Sequence, residues 1–415
     1  MYVELHENYR TSPAAQEAGE LISACVHCGF CLATCPTYLE SGDERDSPRG
    51  RIYLVKQLLE TGTASGRTHT HLDRCLTCRN CETTCPSGVQ YGQLVDIGRG
   101  LMEERVPRSP FDRGRRWLLR AVLPRRRLFT PLLRLGQLLR PLLPGSLRST
   151  VPPRQAPGAT PALNHARTML VLDGCVQSAA TPATNAAAKR VLDRLGINLV
   201  AAPRAGCCGA VNYHLAAHGP GLEEMRRNID AWWPRIEAGA EAIISTATGC
   251  GSMLADYGKL LAGDPAYAEK ARRISAVARD IGEILMEEDL ARLKVDTGIG
   301  RVAVHTPCSL QHGRRLPTLI RDVLEKAGFE LAETAESHLC CGSAGTYSIL
   351  QAATGRRLRD RKLQALSGDR PALIATGNVG CQLHLQGAAA IPVVHWIELM
   401  DPARRGGRTP GNPGT

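Results

Sequence analysis

The sequence predicts a multidomain α+β chain: an all-helical N-terminal block, then two repeated copies of one α/β cysteine-rich unit. Three observations carry this expectation. The 415 residues hold 16 cysteines, eight of them between Cys25 and Cys85 and eight between Cys175 and Cys381. The later eight form two sets with matched internal spacing. Short β-branched runs alternate with helical patterns in that later part, the signature of parallel α/β units. Length alone allows two or three domains.

With 43% hydrophobic and 22% charged residues, the chain has the composition of a globular protein rather than a disordered one. Its opening stretch, Met1-Tyr2-Val3-Glu4-Leu5-His6-Glu7-Asn8, has neither a basic n-region nor an apolar h-region. No secretory signal is therefore expected, and a cytoplasmic setting is. Thiols stay reduced there, so many cysteines point to metal sites rather than to a disulfide scaffold. The longest stretch without formal charge, Pro371 to Ile397, is interrupted by Asn378, Gln382, His384, Gln386 and several glycines. It reads as two short strands around a helix, because a membrane span needs about 20 predominantly apolar residues.

The first block covers residues 1–106. Cys25-Val-His-Cys28-Gly-Phe-Cys31-Leu-Ala-Thr-Cys35-Pro36 is a C-x2-C-x2-C-x3-C-P run, and Cys75-Leu-Thr-Cys78-Arg-Asn-Cys81-Glu-Thr-Thr-Cys85-Pro86 is another. Three thiolates at i, i+3 and i+6 wrap one face of an iron–sulfur cubane, and in two-cluster ferredoxins the fourth cysteine ligates the other cluster. Two [4Fe–4S] clusters are expected, one on Cys25, Cys28, Cys31 and Cys85, the other on Cys75, Cys78, Cys81 and Cys35. Structural zinc sites instead use two C-x2-C pairs set wider apart. Ser47-Pro48 supplies an N-cap and a first-turn proline for a helix continuing through Ile52–Leu59. The spacer between the motifs is longer than a compact β-rich ferredoxin needs. The block therefore reads as an all-helical two-cluster ferredoxin domain, whose chemistry is one-electron transfer.

Residues 107–166 form an Arg/Leu/Pro-rich connector. Between Pro107 and Arg154 lie 12 arginines, no lysine and one aspartate, while the rest of the chain balances 39 basic against 39 acidic residues. The net charge of +11 therefore belongs to one segment. Its mixture of leucine and arginine suits a basic amphipathic surface lying on anionic lipid over residues 107–150. A helix pair packed on this protein or on partner subunits explains the same pattern. Nucleic acid is not an expected partner, since aromatics make up 4% of the chain and no readout motif occurs.

The repeats span 167–295 and 296–402, with a flexible tail over 403–415. Cys175 precedes Cys207-Cys208-Gly209 by 32 residues, and Cys308 precedes Cys340-Cys341-Gly342 by the same 32. Cys250 and Cys381 follow the two pairs. Thr168–Asp173, Arg301–His305, Ala242–Ser245 and Ala372–Ala375 read as strands, and Asn185–Leu195 and Pro317–Ala327 as amphipathic helices. The cysteines then fall at strand ends, where parallel sheets place ligands. These eight are candidates for a further cluster, a four-thiolate zinc site or a vicinal dithiol that cycles with a disulfide. His214, His218, His305, His312 and His338 read as structural. The string Gly298-Ile-Gly300-Arg-Val-Ala303 precedes a strand instead of following one, so it fails as a dinucleotide fingerprint. Without a P-loop or H-E-x-x-H motif either, the chain is expected to hold no flavin or nicotinamide of its own.

Taken together, the strings Ala24-Cys-Val-His-Cys-Gly-Phe-Cys31, Ser47-Pro-Arg-Gly-Arg-Ile-Tyr53, Ala205-Gly-Cys-Cys-Gly-Ala210, Asn228-Ile-Asp-Ala-Trp-Trp-Pro234, Ser337-His-Leu-Cys-Cys-Gly-Ser-Ala-Gly-Thr346 and His395-Trp-Ile-Glu398 resemble the iron–sulfur subunits of bacterial glycolate oxidase (glycolate dehydrogenase). The resemblance covers nearly the whole length. It implies a complex in which two FAD-type subunits oxidise glycolate to glyoxylate, with the flavin doing the hydride chemistry. This chain would then pass electrons to a membrane quinone or another acceptor, from the inner face of the cell membrane, and would not act on glycolate alone. Equivalent subunits of lactate or glycerol-3-phosphate dehydrogenases, and heterodisulfide-reductase-like thiol chemistry, are the alternatives. One departure bears on the last. That type of domain ends in C-x2-C, whereas Met253 and His384 stand three residues after Cys250 and Cys381.

Overall fold

The computed structural model describes residues 1–148 and 150–404; all but the first two residues of the expected 403–415 tail lie outside the described residues. Through residue 148 the chain forms helices and turns, with no strand among the described residues. Helices Pro13–Ser23, Pro36–Ser41, Pro48–Thr61, Gly66–Asp73, Asn80–Thr84 and Tyr91–Arg105 make up the first block. The Ser47 hydroxyl accepts from Gly50 N at 3.0 Å and Pro48 opens the helix, the arrangement the local sequence predicts. Ile52, Val55, Leu58 and Leu59 of that helix bury against Leu94, Leu101 and Met102, so its apolar stripe becomes the core of the block.

Two four-stranded sheets follow, every neighbouring pair parallel. The first holds β1 Arg167–Val171, β2 Ile197–Ala201, β3 Ile243–Ser245 and β4 Ala278–Asp280, in the order β2-β1-β3-β4. The second holds β5 Val302–His305, β6 Leu331–Ala332, β7 Leu373–Thr376 and β8 Val393–His395, in the order β6-β5-β7-β8. The topology repeats as the cysteine spacing does. The repeats are not independent units, however. Val171 and Ile244 of one sheet and Val304, Leu373 and Val394 of the other belong to a single buried cluster. Polar ties close the seam: Thr248 N donates to Gly377 O at 3.1 Å, and His395 Nε2 donates to Thr246 O at 2.6 Å.

The connector carries two long helices of different character. Arg108 and Arg116 both grip Asp73 of the first block, at 2.6 and 2.8 Å. From the helix that carries Arg116, Pro110–Val122, Arg120 Nε donates to Asn212 Oδ1 of the first repeat at 3.2 Å and Arg115 Nη2 to Ile349 O of the second at 3.0 Å. This helix is a strap over all three parts. The next one, Arg126–Leu139, buries none of its side chains and leaves Leu128, Leu132, Leu135 and Leu139 exposed along one face, with Leu138 beside them 75% exposed. No helix among the described residues is long and apolar enough to cross a membrane.

The seam between the repeats carries a titratable carboxyl. Glu398 of the second repeat accepts from Thr184 Oγ1 of the first at 2.7 Å, and burial pushes its carboxyl up to about 7. A carboxyl that protonates more readily folded than unfolded costs stability as pH rises from about 4.5 towards 7. Glu398→Gln keeps the hydrogen-bonding shape without the charge. In thermal denaturation it is expected to gain up to about 3 kcal/mol over the parent chain at pH 8 and little at pH 4. An equal gain at both pH values would show that folding leaves the Glu398 carboxyl unshifted.

Candidate metal centres

Each N-terminal motif must turn its chain tightly enough for thiols three residues apart to face one point. The backbone does so with two left-handed residues at the same places in both motifs: His27 (φ 60°) and Gly29 (φ 86°), and Thr77 (φ 53°) and Arg79 (φ 61°). Cys25, Cys28, Cys31 and Cys85 surround one pocket, and Cys35, Cys75, Cys78 and Cys81 surround a second. Cys81 also borders the first pocket, so the two cradles share a wall.

The cradles differ in depth. In the first, Cys28 is exposed and the rim carries Val26 and Phe30, 68% and 63% exposed. In the second, Cys35, Cys75 and Cys81 are buried and hydrogen-bond donors converge on the sulfurs. Tyr91 Oη donates to Cys75 Sγ at 3.7 Å, Thr77 N donates to the same sulfur at 3.3 Å, and Thr37 Oγ1 lies 3.3 Å from Cys35 Sγ. Arg51, only 1% exposed, lies on the wall of this cradle and donates to His71 O at 2.7 Å and Thr37 Oγ1 at 3.1 Å. Sequence reasoning missed Arg51, although an arginine one position before a buried apolar stripe is a visible signal. Nearby, Asp46 receives His71 Nδ1 and Arg74 Nη1, both at 2.9 Å, so this acidic group with Asp43 belongs to an ion-pair network.

Burial, reinforced by neighbouring thiols, pushes Cys78 and Cys81 well above the ordinary thiol range, and burial raises Cys31 to about 11. Thiols massed in this way stay neutral unless cationic metal holds them as thiolates. Two fours of soft sulfur donors, each around its own pocket, fit two iron–sulfur clusters.

In both repeats the cysteines follow the first three strands, at the switch point where the strand order reverses. Gly209 and Gly342, which close the Cys-Cys-Gly strings, adopt φ of 94° and 83°. A Cβ there would meet Gly221 O at 2.8 Å or Gly355 O at 2.6 Å, so both the turn and the close approach demand glycine. The four thiols of each repeat run in contact: Cys175, Cys207, Cys208 and Cys250 in one, Cys308, Cys340, Cys341 and Cys381 in the other, with Cys308 and Cys340 sulfurs 3.8 Å apart. All of them except Cys341 line one cavity of about 350 Å³. Cys75 and Cys78 of the second cradle border the same cavity, and Cys78 packs with Cys308 and Cys340.

Two of the candidate histidines, His214 and His312, tie the repeats to the first block. His214 Nδ1 donates to Asp96 at 3.0 Å, and His218 lies against Tyr213 with ring centroids 4.5 Å apart. His312 pairs with Thr83 Oγ1 at 2.9 Å through Nδ1 and with His338 O at 3.0 Å through Nε2. Neither place of the C-x2-C cysteine holds a thiol. Met253 is buried in the first repeat's core, and His384 Nε2 donates to Gly355 O at 3.0 Å.

Comparison with known proteins agrees with this architecture. Residues 21–89 match the family model of a 4Fe-4S dicluster domain, and residues 169–255 and 302–386 each match that of a cysteine-rich domain. The chain is 51% identical over 404 residues to the "Glycolate oxidase iron-sulfur subunit" of Escherichia coli (strain K12), covering 97% of this chain and 99% of that one. It is 30% identical over 405 residues to the "Probable glycolate oxidase iron-sulfur subunit" of Bacillus subtilis (strain 168), covering 89% of both. "Lactate utilization protein A" of Geobacillus thermodenitrificans is 24% identical over 222 residues, 51% of this chain and 89% of that protein. Fold and cysteines together define an electron-transfer protein that carries two [4Fe–4S] clusters in a helical dicluster domain. More particularly, the chain belongs to the family of glycolate oxidase iron–sulfur subunits.

Charge and hydrogen bonds to sulfur tune cluster potentials. Replacing the buried cation, Arg51→Met, is expected to leave about eight irons per chain and to make one of the two potentials more negative in an EPR-monitored titration. Two unchanged potentials would separate Arg51 from both clusters.

Proposed function

We propose that this chain relays single electrons from a flavin that oxidises glycolate to glyoxylate to an acceptor at the membrane surface, a quinone. The flavin is held by two FAD-type partner subunits. One cluster is held by Cys25, Cys28, Cys31 and Cys85, the other by Cys35, Cys75, Cys78 and Cys81, and the repeat thiols hold further metal. The observation that carries the relay is the position of the second cradle. It shares a wall with the exposed first cradle on one side and borders the 350 Å³ cavity on the other. The exposed rim of Val26 and Phe30 suits docking of a flavoprotein partner, and the cavity suits exit of the electron. The flavin gives up a pair of electrons and each cluster takes one at a time, so the two cradles in series convert paired into single transfer.

Cys78 stands where the relay meets the cavity. Cys78→Ala is expected to abolish turnover of the assembled complex with a quinone analogue, while glycolate still bleaches the partner flavin. Persistent turnover would refute the relay.

The helix Arg126–Leu139 supports a peripheral membrane contact on the cytoplasmic face, because its leucine face is bare and arginines flank it. The doubly substituted Leu135→Glu, Leu138→Glu chain is expected to lose sedimentation with vesicles containing anionic lipid, with its iron content intact. Unchanged sedimentation would leave that face to a protein partner.

A further inference from the structure

The two repeats differ at one donor. A ring nitrogen of His305 and the sulfurs of Cys341 and Cys381 lie within 4.8 Å of one another, and all three side chains are buried. His305 ends β5 and is 3% exposed. Its Nδ1 pairs with Thr376 Oγ1 at 3.0 Å, while Nε2 is buried without a hydrogen-bond partner. An imidazole nitrogen left bare in this way costs stability, and a metal ion would satisfy it. The Thr376 contact is the outer hydrogen bond that orients a ligating imidazole. Cys340 touches Cys341 and lies beside this three-donor set. Lys362 Nζ, tied to Glu336 O at 2.6 Å, brings a cation to face Cys340 and Cys341.

The first repeat lacks this arrangement. Cys175 and Cys308 lie 133 residues apart, and the same step sets Leu172 opposite His305. Cys208, the counterpart of Cys341, faces the cavity, whereas Cys341 and His305 do not line it. A tetrahedral set of three thiolates and one imidazole, with His305 and Cys341 set back behind the cavity wall, is the form of a structural zinc site.

We propose that the second repeat holds one divalent ion of the zinc class on His305, Cys341 and Cys381, with the adjoining Cys340 turning in as the fourth ligand, and that the first repeat holds none of this kind. The inference rests on the reading that the repeat thiols bind metal. Each thiol that joins releases its proton as the ion binds. A closed site of this kind is redox-inert and braces the cavity wall.

The test is zinc and iron content of the anaerobically purified full chain, with zinc X-ray absorption. The expected result is about one zinc per chain, with three sulfurs at about 2.3 Å and one nitrogen at about 2.0–2.1 Å. His305→Leu is expected to lose the zinc while keeping about eight irons and both cluster EPR signals. His305→Cys, which offers a thiolate in the same place, is expected to keep it with an all-sulfur shell. Zinc in an all-sulfur shell in the parent chain, or zinc undiminished by His305→Leu, would overturn the assignment. If His305→Leu fails to fold, the parent chain's absorption spectrum still decides. Iron well above eight, with no zinc, would leave metal-binding repeats intact and sink the zinc reading alone; neither zinc nor extra iron would sink both.

Discussion

The fourth cysteine of each N-terminal motif sits in the cradle built by the other motif, and much of the molecule serves to make that crossing hold. Cys35 and Cys85 close pockets whose remaining thiols lie tens of residues away along the chain. Between the motifs, the helix Pro48–Thr61 spans the distance, and its buried Arg51 ties the Thr37 hydroxyl to the His71 carbonyl. Neither motif can be displaced alone, because each would take a sulfur out of both pockets. The left-handed residues at matching places in the two motifs are the local cost of that arrangement, and they recur because the same geometry is required twice.

From this knot the contacts run outward to the repeats through polar pairs rather than a large apolar seam. Arg79 Nη1 meets Asp256 at 3.0 Å, His214 meets Asp96 at 3.0 Å, and Asn80 Nδ2 donates to His338 O at 3.1 Å. The repeats themselves are joined by shared core, so the molecule is one α/β body with a helical cap, strapped by Pro110–Val122. The strap's arginines explain where much of the segment's charge goes. Arg108 and Arg116 are spent on Asp73 and Asp112 inside the protein, and the bare leucines belong to the helix after them.

The fold was largely legible in the sequence, and for a physical reason. Strand and helix periodicities are local properties, and the cysteine spacing exposes a repeat that periodicity alone would miss. The predicted helix from Ser47, the strands ahead of Cys175 and Cys308, and the strand–helix–strand reading of Pro371–Ile397 all stand in the structure. The site was legible only as a roster of thiols. That both repeats turn their cysteines towards one cavity, or that His214 meets a carboxylate 118 residues away, depends on how sheets pack, which leaves no local trace. Arg51 and His305 were hidden differently. Each looks like an ordinary strand or helix residue until the neighbours that surround it are known.

The unequal depth of the two cradles sets their exposure to air. A sulfur at the surface, rimmed by bare Val26 and Phe30, leaves the outer centre open to dissolved oxygen, and oxidation of cysteine follows exposure and thiolate character. The inner centre, walled by Arg51, Tyr91 and its hydrogen-bonded sulfurs, is shielded. Damage in air is therefore expected to begin at that exposed rim, and whatever covers it acts as an oxygen shield.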